Sequence, residues 1–295
     1  MEKDYQARDN DMHAAFKYFV YGSWWVAICA ACMGLLSWFE LTSNWWNAPL
    51  FVFILGSTLV VYNLNMLSGL EDLRKVGTDS ERHHWCLENE SLMKATLVIG
   101  LILAGGSIWW LHKVAWLLLI PLALLTLAYT TPIINTKASK IRVREIWLWK
   151  IFIIAAVWAG MTVILPAVEL NGLNQFSNML SWQLAIERGI FILAITIPFD
   201  IRDLANDAKK GVKTIPSVLG WKSSVLVSIG LLLVFVLTTF FRLGTESPML
   251  TAYLATTAIT ISVVSLANPN RNDMYCSFWL EGTMLIQFAS VFLLN

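Results

Sequence analysis

Apolar positions in this chain neither alternate nor recur at helical spacing; they run almost without interruption for about twenty residues at a time, which is the length a helix needs to cross roughly 30 Å of hydrocarbon. Nine such runs are found, at residues 16–39, 49–70, 92–111, 115–134, 146–168, 182–199, 223–241, 248–267 and 275–294. Paired or near-paired tryptophans, Trp24-Trp25, Trp45-Trp46, Trp109-Trp110 and Trp147/Trp149, fall near the ends of these runs, where an amphipathic ring prefers the headgroup region. The pattern predicts an all-α, polytopic membrane protein with nine transmembrane helices. It forms one transmembrane domain over residues 1–295, built as two four-helix halves (16–134 and 146–267) and a final helix (275–294). The polar connections after the second and sixth runs occupy corresponding places in the two halves.

The distribution of cations orients the bundle. With nine spans, eighteen of the 21 Lys and Arg residues fall on the side of the N-terminus, and three, Lys113, Arg188 and Arg242, on the other. Cytoplasmic loops collect Lys and Arg, so the N-terminus is expected inside and the C-terminus outside, in a cell inner membrane with the active site facing the cytoplasm. The first residues carry Glu2, Lys3, Asp4, Arg8, Asp9 and Asp11 of mixed sign and lack the basic region and cleavage site of a signal peptide, so the N-terminus is read as retained.

Composition agrees with lipid as the main solvent. The 295 residues are 57% hydrophobic and 14% charged, against about 25% charged in soluble domains. A net charge of +1 leaves no basic excess for a nucleic-acid partner. Cys29, Cys32, Cys86 and Cys276 lie mostly in apolar stretches, which argues against a disulfide frame or zinc site, and the Cys29/Cys32 pair reads as packing.

The segment from Pro198 to Pro216 carries the chemistry. If the sixth helix continues, Asp200, Asp203 and Asp207 stand at i, i+3 and i+7 and share one face as the helix leaves the bilayer. Three clustered carboxylates repel one another unless a cation neutralises them. Mg²⁺ favours a few carboxylates completed by water and phosphate oxygens. Lys210 and Lys213 follow as point charges for diphosphate oxygens. The competing interpretation is a solvated helix end of mixed charge.

The pattern D-x-x-D-x-x-x-D-x-x-x-G-x-K-T, read at Asp200, Asp203, Asp207, Gly211, Lys213 and Thr214, resembles the second aspartate-rich motif of the UbiA superfamily of membrane prenyltransferases. The resemblance implies nine helices, cytoplasmic aspartate motifs after helices 2 and 6, and a Mg²⁺-bound prenyl diphosphate over a central cavity. The first motif, N-D-x-x-D-x-x-x-D, departs from the family: aligned on Asn63, it meets Leu64 and Leu67 where two aspartates are expected and Glu71 where the third belongs. On one helix Asn63 and Glu71 would stand about 80° apart. The resemblance therefore makes Asp200, Asp203, Asp207 and Glu71 the metal ligands and Asn63 a substrate contact. Tyr129-Thr130-Thr131-Pro132 and the following basic stretch, of which Arg142 and Arg144 suit bidentate phosphate contacts, resemble the family's diphosphate and acceptor region. Tyr62 and Tyr129 are the aromatic candidates for shielding an allylic cation. His83 and His84 are weaker metal candidates, because hard Mg²⁺ does not require imidazole. Glu187, Arg188 and Glu281 are ionisable groups inside spans. Pairing or snorkelling is expected of the first two, and a hydrogen-bonded packing role of the third, with acceptor orientation as its alternative.

The expected function is transfer of a prenyl group from a polyprenyl diphosphate to an unidentified small or lipid acceptor within the lipid bilayer, assisted by Mg²⁺. The alternatives are a non-catalytic relative that binds an isoprenoid or a protein partner, supported by Leu64 and Leu67, and a secondary transporter, disfavoured because the charges crowd helix ends rather than the midplane.

Overall fold

The computed structural model describes residues 13–78, 80–130, 134–135, 140–141, 149–209 and 212–295. Helices dominate, as they must where lipid offers the backbone no hydrogen-bond partner. Fifteen are described: α1 (13–21), α2 (Trp24–Thr42), α3 (Ala48–Leu67), α4 (Leu70–Val76), α5 (Glu81–Glu88), α6 (Glu90–Ser107), α7 (Lys113–Thr130), α8 (Trp149–Ala159), α9 (Leu165–Phe176), α10 (Met179–Arg202), α11 (Leu204–Lys209), α12 (Ile215–Leu219), α13 (Trp221–Leu243), α14 (Pro248–Ser265) and α15 (Glu281–Leu294). π-Helical turns at Gly160–Ile164 and Tyr275–Leu280 join α8 to α9 and lead into α15. The sole strand pair among the described residues is two residues long, Ile134–Asn135 against Lys140–Ile141.

Seven helical segments are long and apolar enough to cross a membrane: Trp24–Thr42, Ala48–Leu67, Glu90–Trp110, Trp149–Phe176, Trp221–Leu243, Pro248–Ser265 and Tyr275–Leu294. The expected fourth span is the shorter apolar α7. The sixth is the 24-residue α10, whose Glu187, Arg188, Asp200 and Arg202 interrupt its hydropathy. The expected first span is broken: Ser23 adopts φ 73°, dividing α1 from α2, and a Cβ on the preceding Gly22 would lie 2.4 Å from the Tyr18 carbonyl oxygen.

α2 is central, packing on α3 at one side and α15 at the other; from α15 the contacts pass through α14, α13 and α10 to α8. Buried residues such as Met33, Phe191, Leu232 and Met284 fill one cluster, and Leu50, Ile54, Val163 and Leu165 a second. Large apolar side chains of α6, α7 and α13, among them Ile102, Leu117, Leu124, Leu226 and Phe241, point outward, as lipid-facing positions should. Trp109, Trp110 and Trp149 are exposed near helix ends, whereas Trp25 stacks on Phe278 and Trp45 on Phe39.

α3 and α6 cross with backbones in near contact. A Cβ on Gly56 would sit 2.6 Å from the Ala104 nitrogen and 2.9 Å from the Gly100 oxygen, atoms that cannot swing aside. Small residues at such crossings allow the dispersion and polar contacts that replace the hydrophobic effect in lipid. Gly56→Val is expected to destabilise the bundle by about 1–3 kcal/mol through overpacking, read as a lower unfolding temperature in detergent, whereas Gly105→Ala, with open space around its Cβ, leaves it unchanged.

Candidate active site

The sixth-span motif lies where α10 ends. The helix stops at Arg202, Asp203 is its C-cap (φ −83°, ψ 0°), and α11 restarts at Leu204 carrying Asp207. The helix is interrupted at Asp203 alone: the Asp203 amide still donates to the Phe199 carbonyl and the Asp207 amide to the Asp203 carbonyl, both at 2.9 Å, and all three carboxylates lie within electrostatic reach of Lys150. Asp200 is buried and accepts a hydrogen bond from Lys150 Nζ at 2.6 Å; the same ammonium lies 3.7 Å from Asp207 Oδ2. Lys150, the second residue of α8, thus stands between carboxylates of two other elements.

Asp203 is held by Arg202 in a two-pronged contact, Nε to Oδ1 at 2.8 Å and Nη2 to Oδ2 at 3.0 Å. Burial works to raise the Asp203 carboxyl, but the adjoining Arg202 guanidinium, with Lys150 and His83, outweighs it and brings the carboxyl down to about 2. Arg202 also reaches Asp273 at 3.5 Å. Asp273, between α14 and the last helix, accepts from Ser80 Oγ at 2.8 Å and the Arg82 amide at 3.1 Å, at the start of α5. The connections after the second, sixth and eighth spans are thereby tied into one charged layer. Lys17 and Tyr21 of α1 join it by binding Glu81, at 2.8 and 3.2 Å.

The other predicted residues are distributed as follows. Asn63 is fully buried and its amide donates to the carbonyls of Leu59 (2.9 Å) and Gly22 (3.3 Å), leaving Oδ1 without a hydrogen-bond partner. Glu71 is exposed and belongs to α4, because α3 ends at Leu67 and Ser68-Gly69 turn the chain. The angle computed for Asn63 and Glu71 on one helix does not apply. Lys213 is exposed just before α12, whose N-cap is the buried Thr214. Tyr62 is half-buried and sits within electrostatic reach of Trp158, Glu281, Arg82 and Tyr129, so helices α3, α7, α8 and α15 bring one polar group each to the interior beneath the charged layer. His83 shares a hydrogen bond with Thr78 at 3.1 Å, and burial, aided by Arg82, lowers its imidazole to about 4, so it is neutral at pH 7. Lys210, Arg142 and Arg144, with Thr131 and Pro132, lie outside the described residues.

Sequence reasoning passed over Lys150, Arg202, Asp273 and Ser80 as site residues. Lys150 had one visible signal, an ammonium one residue inside an apolar helix; the others had none, since their role rests on contacts between connections distant in sequence.

The metal expectation can be tested on the donor set. Asp200 and Asp207 converge on a single cation, which suits one divalent ion completed by water and phosphate oxygens. Asp203 is committed to Arg202. Nothing acidic faces them from α3: Leu64 is exposed, Leu67 is half-buried, and neither has a donor atom. Among the described residues no three His, Cys, Asp or Glu gather as a metal group. The side chains fit one ion at the second motif and do not supply a carboxylate set for another at the first.

The profile of the UbiA prenyltransferase family matches residues 91–289. The chain belongs to that family. It is accordingly an integral membrane protein of a prenyltransferase family with a UbiA-like fold. No curated protein sequence matches it. Among solved structures, a UbiA homologue from Archaeoglobus fulgidus bound to GPP and Mg²⁺ aligns with a TM-score of 0.64 at 13% identity, covering 94% of this chain and 99% of the other. An apo UbiA homologue from Aeropyrum pernix K1 aligns at 0.64 and 16% identity, over 90% and 97%. A digeranylgeranylglyceryl phosphate synthase structure aligns at 0.54 and 17% identity, over 94% and 98%. At such identities the shared property is the fold.

Proposed function

We propose that this protein transfers a prenyl group from a polyprenyl diphosphate to a small or lipid acceptor, at the end of the bundle where the Asp200–Asp207 segment meets α5 and α8. The observation that carries the reading is the convergence of Asp200 and Asp207 on one positive charge, which Tyr129 links electrostatically to the group of Tyr62, Trp158 and Glu281. A diphosphate binding there would face Lys150 at once and Lys213 at the rim, both suited to non-bridging oxygens. A Mg²⁺ ion bound at Asp200 and Asp207 would supply positive charge to the departing diphosphate. Arg202 and Asp203 hold one another and, through Asp273, fix the α5 connection over the site, so the cationic layer is organised before substrate arrives. The Tyr62 and Trp158 rings would stabilise the allylic cation left behind. The isoprenoid tail would lie between the apolar helices, reached laterally from the lipid. Orientation with this site on the cytoplasmic side is supported by the cation distribution; Arg188 and Arg242, counted as outer charges from sequence, are buried among helices, which leaves Lys113.

The test is release of pyrophosphate by the purified chain from polyprenyl diphosphates of increasing length, with membrane lipid extract as acceptor source, with and without Mg²⁺. Mg²⁺-dependent release is expected. Asp200→Asn should lower it by on the order of 10²–10³-fold, the usual effect of removing one strong electrostatic contributor, while Glu71→Ala leaves it near the level of the unmodified chain. Donor binding without release, weakened by Asp200→Asn, would favour the non-catalytic alternative that Leu64 and Leu67 support.

A further inference from the structure

We propose that the Lys150 ammonium is a built-in cation of the Asp200–Asp207 pair, one that a divalent ion must displace and that then passes to the anion bound beside it. The identity of that anion as a diphosphate rests on the prenyl-transfer reading; the competition between ammonium and metal does not.

The geometry is specific. Lys150 comes from α8, Asp200 from α10 and Asp207 from α11, so the contact depends on three elements meeting. The ammonium is 2.6 Å from Asp200 Oδ1 and 3.7 Å from Asp207 Oδ2. The lysine side chain is 20% exposed and the two carboxylates 2% and 15%, so all three charges are largely removed from water. An ammonium carries three N–H donors. Among the described residues one is used, on Asp200, leaving donors for an incoming oxygen anion. A divalent ion and an ammonium cannot share the same carboxylate oxygens, because their mutual repulsion at about 3–4 Å is poorly screened in a partly dry site. Binding of the metal therefore requires Lys150 to move, and the nearest compensating charge is the anion that enters with the metal.

The arrangement also matches what α3 lacks. With leucine at 64 and 67, the site has fewer carboxylates to neutralise and fewer with which to hold a second ion. A covalently attached positive charge then supplies part of what a second ion would have supplied, and it cannot be lost when free metal falls.

The test uses the purified full-length chain and Mn²⁺ as a paramagnetic probe without any prenyl donor. Lys150→Met is expected to bind Mn²⁺ about tenfold or more tightly than the unmodified chain, because the competing charge is gone while the stem volume is kept. Lys150→Arg should stay close to the unmodified chain, and Lys150→Met combined with Asp200→Asn should lose the gain. In EDTA, affinity for inorganic pyrophosphate should fall about tenfold in Lys150→Met and be retained in Lys150→Arg. Equal or weaker Mn²⁺ binding by Lys150→Met overturns the proposal. A second measurement needs no variant: amine-reactive labelling of Lys150 in the unmodified chain, followed by mass spectrometry, should rise severalfold when Mn²⁺ is added, and unchanged labelling overturns it equally. Failure of pyrophosphate release in the transfer assay, with these results intact, would count against the prenyl-transfer reading alone.

Discussion

Arg242→Met is expected to cost the protein about 3–5 kcal/mol, the scale observed when one partner of a buried ion pair is removed and the other charge stays behind. Arg242 sits at the far end of the bundle from the candidate site. Its Nε lies 2.9 and 3.0 Å from the two Glu187 oxygens, and its Nη2 reaches Glu187 at 2.8 Å and Glu40 at 3.0 Å. Exposures of the three side chains are 8, 6 and 2%, so neither acid has water as a substitute partner. Arg188 is nearby, but it donates to Ser37, Met33 and Gln287. Glu40 Oε2 and Gln287 Nε2 have no hydrogen-bond partner and border a cavity about the size of one water. Methionine in place of Arg242 fills similar space and leaves both carboxylates without their hydrogen-bonded cation, Glu187 keeping, among the described residues, only Thr239 Oγ1 at 3.3 Å. Thermal unfolding in detergent should fall by roughly ten degrees, and Glu40→Gln with Glu187→Gln should restore much of the loss by removing the stranded charges. An unfolding temperature unchanged in Arg242→Met would mean that the cluster is hydrated and contributes little.

Asp203→Ala is expected to reduce pyrophosphate release by on the order of 10²–10³-fold, for a reason different from Asp200→Asn. Its carboxylate is the partner that aims Arg202, and Arg202 in turn reaches Asp273 and the start of α5. Removing it leaves a buried guanidinium with one longer contact and unfastens the layer above the site. Asp273→Asn, which keeps the Ser80 contact but loses charge, should lower release by about tenfold, since one charge-assisted contact of this kind is commonly worth a factor of that size. Equal losses in the two variants would mean that the Arg202–Asp273 tie carries the whole effect; the larger loss expected in Asp203→Ala follows from depriving Arg202 of its two-pronged partner. The pH response follows from the depressed Asp203 carboxyl. A group whose folded value lies below its unfolded one stabilises fully above the unfolded value, near 3.8, and loses that contribution as pH falls toward about 2. The Asp203–Arg202 contribution should thus be constant from pH 5 to 8 and vanish only in strong acid, measurable as an Asp203→Asn stability difference that closes below pH 3.

The apolar runs gave helix positions to within a few residues at α3, α13, α14 and the last helix, because hydropathy along a lipid-spanning segment is a local property. They missed the Ser23 break in the first run and the π-turns at 160–164 and 275–280, which depend on packing against other helices rather than on composition. At the site, the spacing that grouped Asp200 and Asp207 agrees with their shared contact to Lys150, while Asn63, chosen from the family pattern, is buried against the Leu59 and Gly22 carbonyls. The tie from Asp203 through Arg202 to Asp273 was not legible, since it depends on side-chain direction and on a connection distant in sequence. Glu71 was assigned from the family pattern; only its angle to Asn63 assumed one helix, and it stands on a different one.

The amino-acid sequence by itself determined that the chain lives in a membrane, which stretches are helical and where the charges gather, because each depends on the composition of a short segment. Only the tertiary structure decided which counter-charge each ion meets. Lys150 finds Asp200 across 50 positions, Ser80 finds Asp273 across 193, and Glu40 finds Arg242 across 202. In a medium that does not solvate charge, those pairings are set by which helices pack together, a relation that no local window of the chain contains.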